Sequence, residues 1–222
     1  MPYVADSFEQ DLKQIELTQQ VEKFTGSTRF QLPAEVSRSE VVSYAKRYGI
    51  RHARELEDAM KVIGKSIRTQ LSVVDLGCGP GMSARVLLGL NFQVGTYFGQ
   101  DHSPSQVWLA RHLNAGQQFA SNFSSRLDSF TPTQEHTLVI MNHICHQDGV
   151  TESDLEHWAM NLNRIIPSPY QLLSVEPPLN GTKQNQLLQI FRARGRATQI
   201  LHNVQTPGQF RASKVTQLIA IS

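Results

Sequence analysis

Asp75 followed by Gly77, Gly79 and Gly81 combines an acid with glycines at alternate positions, inside the stretch VVDLGCGPG at residues 73–81. The carboxylate can hold a cationic group. The glycines let the backbone approach a ligand without interference from Cβ atoms. A helix starting near Gly81 turns its unpaired N–H groups toward the same turn, which favours an anion there. A ligand carrying an amine beside a carboxylate suits both ends. Asp101 lies 20 positions beyond Gly81, where Thr96-Tyr97-Phe98-Gly99-Gln100 reads as a strand ending in an acid. An acid at that position can accept hydrogen bonds from two ribose hydroxyls, as it does in dinucleotide sites. It also reads as a helix N-cap, a role that Ser103-Pro104 fills as well.

A second group of reactive side chains follows the apolar run Thr137–Met141, in Asn142-His143-Ile144-Cys145-His146-Gln147. Ligands of open parallel sheets bind beyond the carboxyl ends of the strands. His143 and His146 titrate near neutrality and carry the chemistry of a general base. A strand-end histidine bonded to backbone groups reads equally from the same residues. His143, Cys145 and His146 crowd one loop with no second ligand pair elsewhere, so no metal is expected. Glu176, ahead of Pro177-Pro178, either points at a substrate or is a solvated strand-end acid. Tyr44 and Tyr48 either face a substrate or belong to the core.

The elements that position these residues follow from periodicity. Val73 and Val74 lead a buried strand into the glycine turn. Met82, Val86 and Leu90 repeat as the inner face of the helix after it. Val107, Trp108, Ala110 and Leu113 form the next helix, and 117–120 a third strand. Strands are further expected at 137–141 and 172–176, with the last two at 197–204 and 214–221, joined through Pro207-Gly208. Leu155, Trp158, Leu162 and Ile165 mark a helix opened by Thr151-Glu152-Ser153-Asp154, and Leu187, Leu188 and Phe191 another. Ahead of the glycine turn, Phe8, Leu12 and Ile15 form one helical face. Residues 25–28 and Pro33 read as loop, and 1–36 as either a docked leader or a lid. Ser37-Arg38-Ser39-Glu40 is a capping box, with a helix that Gly49 ends. A second helix carries Ala53, Leu56, Met60, Ile63 and Ile67 at helical spacing. Arg192, Arg194 and Arg196 sit at a helix C-terminus, where cations complement the dipole.

The chain has 222 residues, 40% of them apolar, and a net charge of +2. That length builds one substantial core with a small cap. The charge is too balanced to point to nucleic acid, and no apolar run reaches spanning length. MPYVADSFEQDL lacks the pattern of a signal peptide, and two cysteines make no disulfide framework. A reducing cytoplasmic setting is expected, with no membrane association. Nothing in the sequence specifies an oligomeric state.

VVDLGCGPG resembles the first motif of class I S-adenosylmethionine-dependent methyltransferases, because lead-in, acid and glycine spacing occur together. A dinucleotide-binding turn is the nearest rival, but it places a glycine three residues after the second, where Met82 stands. The resemblance implies an α/β three-layer sandwich: a mostly parallel, seven-stranded Rossmann-like sheet with an antiparallel last strand. Residues 1–70 would be a helical cap over the sheet edge and pocket, and 71–222 the S-adenosylmethionine-binding part. Asp75, Gly77, Cys78, Gly79 and Gly81 would hold the methionine end, and Asp101, with His102 beside it, the ribose. Adenine contacts depart from the family pattern: an acid is usual after the third strand, where this chain has Ser121-Asn122-Phe123. Asn122 would accept from the base and Phe123 stack on it, with Asp128 too late in its loop to substitute. Asn142 and His143 would face the reacting centre, His143 as catalytic base. The implied function is methyl transfer to an O or N nucleophile of a small molecule. The alternatives are an RNA or protein acceptor, or a noncatalytic S-adenosylmethionine-binding protein.

Overall fold

A computed structural model describes residues 3–19, 36–67, 70–117, 120–127, 130–145, 149–166, 169–177, 181–206 and 214–222. Among them, strands β1 (Gln70–Leu76), β2 (Gln93–Gln100), β3 (Ala120–Ser124), β4 (His136–Asn142), β5 (Tyr170–Glu176), β6 (Thr198–Thr206) and β7 (Lys214–Ile221) form one sheet. Its order is β3-β2-β1-β4-β5-β7-β6. β3, β2, β1, β4 and β5 are parallel to their neighbours, while β7 runs antiparallel to β5 and β6. The expected three-layer α/β fold with an antiparallel last strand is therefore present. The strand order reverses between β1 and β4, and crevices that bind ligands form at such a switch point.

Alternation along the central strands sends side chains into two cores. Leu71, Val73, Leu138 and Ile140 join one apolar cluster, and Val74, Leu76, Val139 and Met141 the other. On the first face lie α3 (Ile50–Ile63), α4 (Met82–Gly89) and α5 (Pro104–Leu113); on the second, α6 (Glu152–Ile165) and α7 (Gly181–Ala193). Strands buried on both sides read as near-continuous apolar runs, which is why β1 and β4 were legible.

The N-terminal helices are part of this packing. In α1 (Ser7–Gln19), Phe8 and Leu12 are fully buried. The Arg85 guanidinium pairs with Asp11 and lies 4.4 Å over the Phe8 ring, tying α1 to α4. The capping box opens α2 (Arg38–Tyr44): the Glu40 N–H donates to Ser37 Oγ and the Ser37 N–H to Glu40 Oε2. Gly49 does not end that helix. A π-helical segment, Ala45–Gly49, runs from α2 directly into α3. A Cβ on Gly49 would lie 3.1 Å from Pro80 Cγ and 3.3 Å from Met82 Cε. The glycine thus marks close approach to the glycine turn, not a stop. Wide turns of this kind recur at functional sites. α3 lies beside α4 and over β5, β6 and β7. It covers a sheet face as well as the pocket.

β3 begins at Ala120, three residues later than expected at its start, and extends to Ser124, so Asn122 and Phe123 stand inside the strand, opposite Phe98 and Gly99. Residues 25–28, Pro33, Asp128, His146, Pro178 and Pro207-Gly208 lie outside the described residues. No described helix is long and apolar enough to cross a membrane. Thr151 and Asp154 cap α6 reciprocally, on the face away from the cleft. Thr151→Ala is expected to lower unfolding free energy by ~1 kcal/mol in urea denaturation while leaving ligand binding at the cleft unchanged.

Candidate functional site

The cleft is built where β1 gives way to α4. Gly77, Gly79 and Gly81 all have positive φ, at 62°, 52° and 70°. The turn is anchored by the Cys78 N–H donating to the Gln100 carbonyl at 2.8 Å, and the Gly81 N–H to the Cys78 carbonyl at 2.9 Å. Gly81 caps α4 without a side-chain partner for its first N–H groups. A Cβ there would meet Phe123, Ala110 and Asn114 at 2.8–2.9 Å. At Gly79 a Cβ would have no neighbour within 4 Å. It would project into open space on the cleft side, so the missing side chain at Gly79 leaves room for something other than this chain.

Asp101 faces that turn from the end of β2. One carboxylate oxygen accepts from the Gly79 N–H and the other from the Ser103 N–H, both at 2.9 Å. Ser103 itself is the N-cap of α5, so the capping role does not belong to Asp101. Burial holds the Asp101 carboxyl above its usual range despite these bonds. His102 is half exposed, with Nδ1 3.5 Å from Asp101 Oδ1. Asp75 lies at the cleft floor, 1% exposed. It accepts a hydrogen bond from the Tyr97 hydroxyl, and burial pushes its carboxyl up to about 7 against the opposing effect of Tyr97 and Ser83.

The opposite wall comes from β4 and α3. Asn142 Nδ2 donates to the His52 carbonyl at 3.1 Å. His143 is 2% exposed and has a φ of 60°, a conformation few non-glycine residues adopt. Its N–H donates to the Val175 carbonyl at 3.0 Å, its ring stacks on His52 with centroids 4.0 Å apart, and Nε2 lies 2.5 Å from Glu55 Oε2. Tyr44 adds its ring to the same cleft; burial and the nearby Asp101 drive its phenol far above the ordinary range.

Asp75, Gly77, Cys78, Gly79, Asp101, His102, Asn142 and His143 all border this space, while Gly81 supports it from behind. Asn122 and Phe123 do not border it. Asn122 is exposed on the edge strand, and Phe123 is 2% exposed beneath Gly81 and Gly99. Within β3 the two residues thus stand apart from this cleft. Glu176 neither reaches the cleft nor is solvated: it is fully buried, and Oε1 accepts from the N–H groups of Ile144 and Cys145 at 3.1 and 2.9 Å. Arg192 donates to Thr198 Oγ1, and Arg196 to Asn163 and the Ile166 carbonyl, so two of the clustered arginines have internal partners.

Sequence reading missed His52, Glu55 and Gln106. His52 and Glu55 stand three residues apart on α3, and Glu55 is a fully buried acid, so the available signal was an ionisable pair at helical spacing beside the Ala53–Leu56 stripe. Gln106 lines the cleft at 4% exposure, and its Oε1 has no hydrogen-bond partner among the described residues; nor has Asn142 Oδ1. Buried acceptors left unsatisfied cost about 1–3 kcal/mol each. A ligand rich in N–H and O–H donors would relieve both.

No protein-family model and no curated protein matches the sequence. Solved structures do match the fold. A SAM-dependent methyltransferase from Aquifex aeolicus is 16% identical over 85% of this chain and 100% of that one, with a TM-score of 0.59. A SAM-dependent methyltransferase from Leishmania major is 12% identical over 85% and 79%, at 0.53. Magnesium protoporphyrin IX methyltransferase from Synechocystis, with bound SAM, is 15% identical over 87% and 88%, at 0.51. The chain shares the fold of these methyltransferases.

The raised Asp75 carboxyl has a pH signature. The folded chain keeps this proton up to about pH 7, whereas an unfolded aspartate loses it near 3.8. Between those values the folded state binds the extra proton, so its stability falls as pH rises. Asp75→Asn removes that contribution. Urea denaturation at pH 4.5 and pH 8 is expected to show the wild type losing ~3 kcal/mol relative to Asp75→Asn, at 1.36 kcal/mol for each tenfold change in proton affinity.

Proposed function

We propose that this chain transfers the methyl group of S-adenosylmethionine to a nucleophile on a small molecule, with His143 as the general base. The observation that carries this reading is the empty space over Gly79, bordered on one side by Asp101 and on the other by Asn142 and His143. Two unsatisfied acceptors lining the same cleft, Gln106 Oε1 and Asn142 Oδ1, fit a ligand bearing amino and hydroxyl groups. When bound, S-adenosylmethionine supplies a methyl group already activated by its sulfonium.

The chain's own residues then have to hold, orient and exclude water. The glycine turn and the open start of α4 receive a carboxylate. Asp75 at the cleft floor receives an ammonium, and its raised proton affinity couples that binding to loss of a proton. Asp101 has two carboxylate oxygens for a pair of ribose hydroxyls. Tyr44, His52 and Ala53 close the far side, so α2 and α3 act as a cap over the acceptor. Positioning of this kind supplies much of the rate when the electrophile is preactivated. His143 accepts a proton from a nucleophile that carries one. Buried Cys78 and Cys145 are both unpaired, which fits a reducing setting.

Calorimetric titration with S-adenosylmethionine, S-adenosylhomocysteine and NAD tests the reading. Micromolar binding of the first two, none of NAD, and at least tenfold weaker binding in Gly79→Val are expected, since the added side chain fills the space over the turn. A folded sample that binds neither sulfur compound contradicts it. In acceptor assays, a steep loss of acceptor binding with salt would assign RNA in place of a small molecule.

A further inference from the structure

A groove runs between α6 and the loop after β3, on the second face of the sheet. Phe98 joins the second apolar cluster, so Gln100, two residues on, points to the same face. Leu127 and Trp158 pack against that cluster, and Arg126, His157 and Arg164 line the groove with them. We propose that this groove binds a nucleoside phosphate, with the phosphate held by Arg126 and Arg164 and the base laid on the Trp158 indole. It shares no lining residue with the cleft over the glycine turn, so it stands apart from the methyl-transfer reading.

The fold leaves this space open. Parallel strands of one sheet are usually joined by a crossover helix, and the crossover is right-handed. The chain passes from β1 to β2 and from β2 to β3 through α4 and α5 on the first face. From β3 to β4 it crosses the sheet in the opposite direction, so the same handedness puts that connection on the second face. No described residue between Ser124 and His136 is helical. A helix that would lie beside α6 is missing, and the groove occupies its place.

Its chemistry selects an anion. Two guanidinium groups and an imidazole line the groove, and no carboxylate among the described residues does. Arg126, His157 and Arg164 are exposed. Arg164 is steadied through Nη2 alone, which donates to the Leu127 carbonyl and to Asn161 Oδ1, both at 3.4 Å. Asn161 in turn places Nδ2 2.8 Å from His157 Nε2. The planar fork of Arg164 keeps further N–H groups for a ligand, and such forks match phosphate oxygens in pairs. The cleft over the glycine turn has the opposite polarity, since its unsatisfied groups are the acceptors of Gln106 and Asn142.

Trp158 supplies the second half of the recognition. It is half-buried against Leu127 and the second core, so its ring is held from beneath while part of it stays open beside the cations. Every nucleobase has a π-face, and stacking on an indole accepts any of them. Two guanidinium charges match a phosphate dianion better than a single carboxylate. A flat base carrying a phosphate uses both features together.

Calorimetric titration of the full chain with adenosine monophosphate, adenosine, inorganic phosphate and a single-stranded oligoribonucleotide tests the site. Fluorescence of Trp158 is followed in Trp108→Phe, which leaves it as the one indole. Adenosine monophosphate is expected to bind saturably and quench Trp158, with adenosine and inorganic phosphate each at least tenfold weaker. Arg126→Gln and Arg164→Gln should each weaken it at least tenfold, and Asp101→Asn less than twofold. Tighter binding of the oligoribonucleotide, lost in the same arginine variants, would assign the phosphate to a strand; weaker binding would assign a free nucleotide. No saturable binding of either by the folded protein, arginine variants that bind like the wild type, or inorganic phosphate bound as tightly as the nucleotide would overturn the proposal. A loss confined to Asp101→Asn would also overturn it, by placing the nucleotide in the other cleft. S-adenosylhomocysteine binding in the same samples tests the methyl-transfer reading separately, so either can fail alone.

Discussion

The site depends on holding a turn with three positive-φ glycines, at alternate positions, in one conformation. Glycine loses more conformational freedom on folding than other residues, so such a turn has little tendency to order itself. It is ordered here from both sides. The Cys78 N–H is taken by β2, the Gly79 N–H by Asp101, and the Gly81 carbonyl by Asn114 Nδ2 at 3.0 Å. Phe123 fills the space beneath, and Pro80 abuts the glycine of the π-helical segment. The sheet's switch point, α5 and the N-terminal helices therefore all converge on nine residues.

This arrangement divides the cleft chemically. One side presents the N-terminal end of α4 and two carboxyls whose burial raises their affinity for protons. The other presents aromatic rings and a His–Glu pair. That second wall is supplied largely by α2, the π-helical segment and α3, which precede the glycine turn in the chain. Because α3 is also packed over β5, β6 and β7, the residues it contributes are held by the main core and not by a loosely attached cap.

The strand-turn-helix unit was legible because each residue there obeys a local rule: branched apolar residues for a strand buried on both faces, glycine for positive φ, Ser103 before Pro104 for a helix start. Capping boxes at Ser37 and Thr151 were equally readable. What escaped was set by tertiary contact. Gly49 looks like a helix stop in sequence, yet its lack of a side chain serves packing against Pro80. The boundaries of β3 depend on pairing with β2, which local polarity around Asn122 does not encode. Glu55 passes for a solvated helix residue until His143, far along the chain, is brought against it.

On the proposed reading, the space over Gly79 is the seat of S-adenosylmethionine. A crystal structure with S-adenosylhomocysteine tests it most directly. The amino acid end is expected over Gly77–Gly79, the ribose at Asp101 and the sulfur toward Asn142 and His143. Well-ordered ligand bound elsewhere, or bound here in the reverse orientation, would contradict it.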